Sequence, residues 1–152
     1  FGGKGTKKLE RKQDNYFDLL NEITHQETQP IMLQTFIPKV SEGEKRVFLI
    51  DGLPLGALLK IPAPGSFLTN PDLGGRIVPS TLTRQEKKVC QEVGAFLKKQ
   101  KVFFAGLDLI DQQLTEINIT SPGLLWEWNE IDNSHHEREI IDQIEKKIGV
   151  KK

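Results

Sequence analysis

The chain is 152 residues long and carries 21 basic and 21 acidic side chains, so its formal net charge is zero. That balance excludes the bulk basic footprint of a nucleic-acid binder, and no apolar run approaches the roughly 20 residues that span a bilayer. With 37% hydrophobic residues and 13 glycines the composition is that of a globular domain, and a single cysteine, Cys90, excludes an internal disulfide framework and a multi-cysteine zinc site. A reducing, cytoplasmic setting is therefore expected, with no nucleic-acid or membrane partner. The chain opens Phe1-Gly2-Gly3-Lys4-Gly5 rather than with Met and is expected to be part of something longer.

Residues 1–12 are glycine-rich and then basic. Tyr16, Leu19, Leu20 and Ile23 recur at helical spacing, and Asp14 or Asn15 can cap the start, which predicts a short helix over 15–24. The compact apolar stretch 31–37 before Pro38 predicts a strand, and Ser41-Glu42-Gly43-Glu44 a turn. Segments 45–50 and 53–61 flank Asp51-Gly52 and predict a hairpin, because that pair tolerates the positive φ of a two-residue turn. Pro54 belongs near the turn rather than in the middle of the ladder. Residues 62–82 hold four prolines with Gly65, Gly74 and Gly75 and show no periodicity; a stretch of that kind reads as a lid or binding loop.

Thr83-Arg84-Gln85-Glu86 fits a capping box. The helix it opens is expected to bury Val89, Val93, Phe96 and Leu97, with Cys90 as a packing residue beside that stripe. Residues 102–110 and 114–120 predict two strands, the second broken by Ser121-Pro122-Gly123. Residues 134–149 predict a final helix with Ile140, Ile141, Ile144 and Ile148 inward. Hairpins mixed with separated helices indicate an α+β fold, and the lack of repeats or linkers indicates no internal boundary.

The segment from Gly106 to Thr120 carries the most chemistry. If its reversal is centred near Gln112, Asp108 lies opposite Glu116 and Asn118 shares their face, while Leu107, Leu109, Ile117 and Ile119 line the other. Facing carboxylates repel. A divalent cation would relieve that repulsion, and Asp, Glu and Asn supply the hard oxygens that Mg²⁺ takes together with water and nucleotide phosphates. The alternative is a solvated strand face. Gly2-Gly3-Lys4-Gly5 can bring backbone amides close to phosphate, although it is no P-loop and a flexible end is the competing reading. Lys45, Arg46, Lys60 and Arg76 suit phosphate or carboxylate oxygens, or else are plain surface cations. His25, His135 and His136 read as solvated. Trp126 and Trp128 read as partly buried core.

Gln34-Thr-Phe-Ile-Pro38, Glu42-Gly-Glu-Lys-Arg-Val47, Ile61-Pro62, Gly74-Gly-Arg76, Gly106-Leu-Asp108 and Leu114-Thr-Glu-Ile-Asn-Ile-Thr-Ser-Pro122 resemble, in order and spacing, the ATP-grasp part of bacterial glutathione synthetases. The resemblance implies an α+β ATP-grasp fold with a mixed or antiparallel sheet, flanking helices and a long lid loop. Residues 1–152 would form a partial ATP-grasp domain: a glycine-rich loop at 1–6, a C-terminal lobe over about 34–150 and a lid at 61–76, without the family's upstream domain. It implies an ATP-dependent carboxylate–amine ligase that phosphorylates the cysteinyl carboxylate of γ-glutamylcysteine and joins it to glycine.

The residue roles that follow are those the resemblance implies. Asp108, Glu116 and Asn118 would hold two Mg²⁺ ions, with Mn²⁺ as a substitute. Gly2, Gly3 and Lys4 would cover the triphosphate, and Gln34, Thr35, Phe36 and Ile37 would meet adenine. Glu44 stands at the ribose position, where the family usually has Asp. Arg46, Lys60 and Arg76 would steady phosphate and the tetrahedral intermediate. Asn70, Gly74 and Gly75 of the lid, with Ser121, Pro122 and Gly123, would meet the peptide substrate. Lys60 stands where the family has Arg, and Leu68 where its lid carries Arg. Two other readings stand beside this one: an ATP-grasp ligase with a different acid and amine, and a nucleotide-binding module without turnover. The full-length protein is expected to be a homo-oligomer, and segment 1–152 alone is not expected to ligate.

Overall fold

The computed structural model describes residues 5–149. Gly2, Gly3 and Lys4 lie outside the described residues. Where no internal boundary was expected, the chain divides into two compact units, Phe1–Pro38 and Lys39–Lys152.

The first unit contains helix α1, Tyr16–Ile23, within the predicted span. Residues 31–37 form no strand. Apolar and β-branched residues favour a pleated surface, but a strand exists through its ladder bonds, and no described segment pairs with this one.

The second unit is built on a five-stranded antiparallel sheet in the order β3-β2-β1-β4-β5. Its strands are β1 Glu44–Ile50, β2 Leu53–Ile61, β3 Arg76–Ser80, β4 Phe104–Ile110 and β5 Gln113–Asn118. The β1–β2 turn has Asp51 at φ 48° and Gly52 at φ 83°, the doubly positive geometry that Asp-Gly was expected to supply. Pro54 sits beside a bulge next to that turn. The stretch read as one long lid is shorter than expected, because β3 takes its last part as an edge strand on β2. Pro79 is tolerated there because an edge strand has amide positions that need no partner. Residues 62–75 remain as the loop, with a short 3-10 turn at Pro71–Leu73.

One face of the sheet is covered by α2, Arg84–Lys99. Val47, Leu49, Ala57, Ala105, Leu107 and Leu109 form this core with Cys90 and Leu97 of the helix. The capping box forms as predicted: the Glu86 amide donates to Thr83 Oγ1 at 3.2 Å and the Thr83 amide to Glu86 Oε2 at 2.7 Å. The buried stripe is rotated from expectation. Cys90 is at its centre and Phe96 is 56% exposed. The cause is Gly94, which lies so close to the hairpin turn that a Cβ there would stand 2.0 Å from the Gly52 carbonyl oxygen. Burial is the main cause that pushes the Cys90 thiol up to about 11.

The opposite face is divided. Over one half, Phe48, Leu58 and Phe104 pack against Trp128 of α3, Leu125–Asp132, a helix with no clear sequence signal. The Trp128 and Phe48 rings stack at 5.1 Å between centroids. Trp126 is 72% exposed and no part of the core. The final helix α4, His136–Ile148, packs on α3. It buries Ile140 and half-buries Ile144, while Ile141 and Ile148 are exposed against expectation, since only a narrow stripe of α4 is covered. His136 is not solvated either: its ring stacks on Trp128 at 3.5 Å and bonds Asp132 at 2.7 Å. Among the described residues no helix is long and apolar enough to cross a membrane.

Two outcomes test this packing. A Cβ at Gly56 would stand 2.3 Å from Trp128 Cζ2, so Gly56→Ala should lower stability by about 1–3 kcal/mol through overpacking. Urea denaturation followed by tryptophan fluorescence measures it, and an unchanged midpoint would show that the ring is not seated there. The second outcome concerns Glu86. Burial opposes its charge, but the Lys45 ammonium at 2.6 Å and the Thr83 bonds outweigh it and hold the carboxyl below its ordinary value of 4.5. Its contribution is full above that value and is lost as pH falls through the lower folded value. The stability gap between wild type and Glu86→Gln should therefore close on acidification below about pH 4.5. A gap independent of pH across that range would refute the linkage.

Candidate functional site

The other half of the α3 face carries the polar cluster. Central strand β1 supplies Glu44 and Arg46, paired across the ladder with Lys60 of β2 and Asp108 of β4. β5 adds Glu116 opposite Asp108 and Asn118 opposite Gly106. Side chains alternate across a strand, so these residues share one face. Asp108 is 1% exposed, and Arg46 and Lys60 are buried beside it.

Arg46 grips Asp108 with both prongs of its fork, Nε to Oδ1 and Nη2 to Oδ2, each at 2.8 Å. Lys60 Nζ donates to Oδ1 at 3.1 Å and pairs with Glu44 Oε2 at 2.7 Å. Asn118 Nδ2 donates to Oδ2 at 3.4 Å. Each Asp108 oxygen thus receives two donors, which fills the roughly four lone-pair sites of a carboxylate. Within this network the two cations Arg46 and Lys60 balance the two carboxylates bonded to them, Asp108 and Glu44. Gly106 makes room for it: a Cβ there would stand 3.2 Å from Arg46 Cδ and Nη1 and 3.0 Å from Pro122. Arg46 Nη1 also donates to the Gly123 carbonyl at 3.3 Å, which ties the segment after β5 to the clamp.

Glu116 reaches this face through a bulge. The β4–β5 turn has Asp111 at φ 48° and Gln112 at φ 64°, and Ile110 pairs with Gln113. Continued without interruption, that register would set Asp108 against Thr115 and turn Glu116 to the core face. The ladder shifts between Asp108 and Leu109, leaving Thr115 as the extra residue, so Asp108 meets Glu116 as the sequence predicts. Thr115 Oγ1 donates to the Asp108 carbonyl at 3.0 Å. Ile117 joins the core, whereas Ile119 lies beyond the strand and is exposed.

Two of the predicted cations are placed elsewhere. Arg76 pairs with Ile61 on edge strand β3; the register puts it on the opposite sheet face from Arg46 and Lys60, where it is exposed. Lys45 likewise faces α2, bonding Glu86 and the Thr81 carbonyl. Asn70 accepts from the Asp72 amide at 2.9 Å and caps the 3-10 turn. Gly74, at φ 87°, closes that turn, and a Cβ on Gly75 would stand 2.5 Å from the Thr69 carbonyl. Gln34, Thr35, Phe36 and Ile37 belong to the first unit. The sequence reading missed Thr69, which is buried and donates its hydroxyl to Glu44, and Thr115; neither stands in a pattern that marks it.

The donor set has the chemistry of a Mg²⁺ site: hard oxygens from Asp108, Glu116 and Asn118 on one face. Among the described residues no trio of His, Cys, Asp or Glu forms an all-protein metal cage. Asp108 and Glu116, opposite each other across the ladder, are the two carboxylates that a magnesium ion would take there, the rest of its oxygens coming from elsewhere.

The family model of the prokaryotic glutathione synthetase ATP-grasp domain matches residues 1–133. A glutathione synthetase of Prochlorococcus marinus subsp. pastoris is 37% identical over 143 residues, covering 94% of this chain and 47% of that protein. One of Agrobacterium fabrum is 34% identical over 146 residues, 96% of this chain and 46% of that protein. One of Gloeobacter violaceus is 36% identical over 141 residues, 93% and 44%. The chain spans about half the length of the curated relatives it matches. The matched region takes in the whole sheet and the clamp of Arg46, Lys60 and Asp108, and the chain belongs to the prokaryotic glutathione synthetase ATP-grasp family.

Proposed function

We propose that this chain is the ATP-grasp part of a ligase that forms glutathione. The observation that carries the reading is the buried Arg46–Asp108–Lys60 clamp beside Glu116 and Asn118 on one face of the sheet. The γ-phosphoryl of ATP passes to the cysteinyl carboxylate of γ-glutamylcysteine, glycine's amine attacks the acyl phosphate, and inorganic phosphate leaves. Such a transfer needs positioned charge more than a side-chain nucleophile. Arg46 and Lys60 supply the cations, and Asp108, Glu116 and Asn118 are the ligands for Mg²⁺, with Mn²⁺ as a substitute. The magnesium neutralises phosphate charge when bound. The 62–75 loop shields the acyl phosphate from water. Small-molecule substrates without nucleic acid or membrane, a homo-oligomeric full-length protein and a cytoplasmic location complete the reading.

The saturation of Asp108 adds an order of events. Two buried cations repel bare Mg²⁺ and occupy the oxygens it needs. Nucleotide phosphates offer Arg46 and Lys60 another anionic partner and release Asp108. Titration calorimetry on the full chain should give no saturable signal with Mg²⁺ alone and a saturable one with a non-hydrolysable ATP analogue present. Saturable binding of Mg²⁺ alone would refute the ordering.

The ligand assignment is tested by ADP release. Asp108→Asn should abolish it and also destabilise the fold by about 3–5 kcal/mol, since Arg46 and Lys60 lose a buried counter-charge. Glu116 is exposed, so Glu116→Gln should keep the fold and still abolish Mg²⁺-dependent ADP release. Near-normal turnover in Glu116→Gln would remove the metal assignment. Leu68 and Lys60 favour a second reading, a ligase with another acid and amine, because each removes a guanidinium that the family uses. Turnover confined to acceptors other than γ-glutamylcysteine and glycine would select it.

A further inference from the structure

We propose that Thr69 and Glu44 are positioning residues that dock the 62–75 loop onto the site. Thr69 is the buried residue of that loop, 7% exposed. Its hydroxyl donates to Glu44 Oε2, the oxygen that also accepts Lys60 Nζ at 2.7 Å. One carboxylate oxygen therefore joins the loop to the ammonium that reaches Asp108.

The rest of the loop is largely closed on itself. The Ser66 amide donates to the Ala63 carbonyl at 2.9 Å, the Leu68 amide to Ser66 Oγ at 3.0 Å, and the Gly75 amide to the Asn70 carbonyl at 3.2 Å. Gly75 is pressed against the Thr69 carbonyl, so Thr69 is held from the backbone side while its hydroxyl points into the charge cluster. A hydrogen bond to an ionised acceptor is stronger than one between neutral groups. Glu44 joins this junction through Oε2. Its extra methylene over aspartate lengthens the reach from β1 toward the loop. The loop is thus set in place before substrate arrives, which lowers the ordering cost of closing it.

The kinetic consequence rests on the ligase reading; the docking does not. The test is amide hydrogen exchange on the ligand-free full chain, with Thr69→Val, which keeps the shape without the hydroxyl, and Thr69→Ser, which keeps the hydroxyl. Thr69→Val should speed exchange in residues 62–75 by about tenfold or more while β1 and β4 keep their protection. Thr69→Ser should restore the wild-type rates. In the ligation assay Thr69→Val should raise KM several-fold with a smaller change in kcat, and Thr69→Ser should rescue it. Three exchange results would overturn the proposal: wild-type rates in Thr69→Val, equal loosening in both variants, or loosening spread through β1 and β4. A wild-type protein that ligates nothing would sink the ligase reading and leave the exchange result to decide the docking.

Discussion

A carboxylate with no lone pair to spare organises one half of this sheet. Asp108 is almost fully buried, and its charge is tolerable there only because Arg46, Lys60 and Asn118 all donate to it. Each partner comes from a different strand, so the interaction spans β2, β1, β4 and β5. Lys60 in turn needs Glu44, and Glu44 brings in Thr69. Gly106 leaves the space that the Arg46 guanidinium fills, and the Gly123 carbonyl takes one of its remaining donors. Arg46, Lys60, Asp108 and Glu44 form an electrically balanced unit that any added charge would disturb.

The second unit's helices pack on the other parts of the sheet. α2 covers the opposite sheet face and needs Gly94 against Gly52 to approach the hairpin turn closely enough. Trp128 covers the apolar half of the clamp's own face and needs Gly56 beneath its ring. Asp51 sits at that same hairpin turn, bonded by Lys98 of α2 and Lys147 of α4, and these bonds, Lys147 first, hold its carboxyl below the usual range. Helices anchored in this way pack away from Glu44, Arg46, Lys60, Asp108, Glu116 and Asn118 within the second unit.

Local signals were read correctly where they rest on a short-range physical rule. The Asp51-Gly52 hairpin and the Thr83–Glu86 capping box are of this kind. Failures came where partners distant in sequence decide. Residues 31–37 have strand composition but no neighbour strand among the described residues, and β3 hides among prolines because an edge strand carries no clean alternation. Ile141, Ile148 and Phe96 are periodic and apolar yet exposed, since periodicity marks a face without saying what covers it. Arg76 and Lys45 carry the right charge for the site, but strand parity turns both to the other side of the sheet.

The sequence by itself determined the family and the α+β class, because these depend on residue types at fixed spacing. Only the tertiary structure decided that Asp108 is a saturated counter-ion, that Arg46 and Lys60 are its partners, and that Glu44 is joined to the 62–75 loop through Thr69. The reason is geometric. Hydrogen bonds across four strands depend on register, on the Thr115 bulge and on the space left by Gly106, and each of those is set by chain segments far apart in sequence.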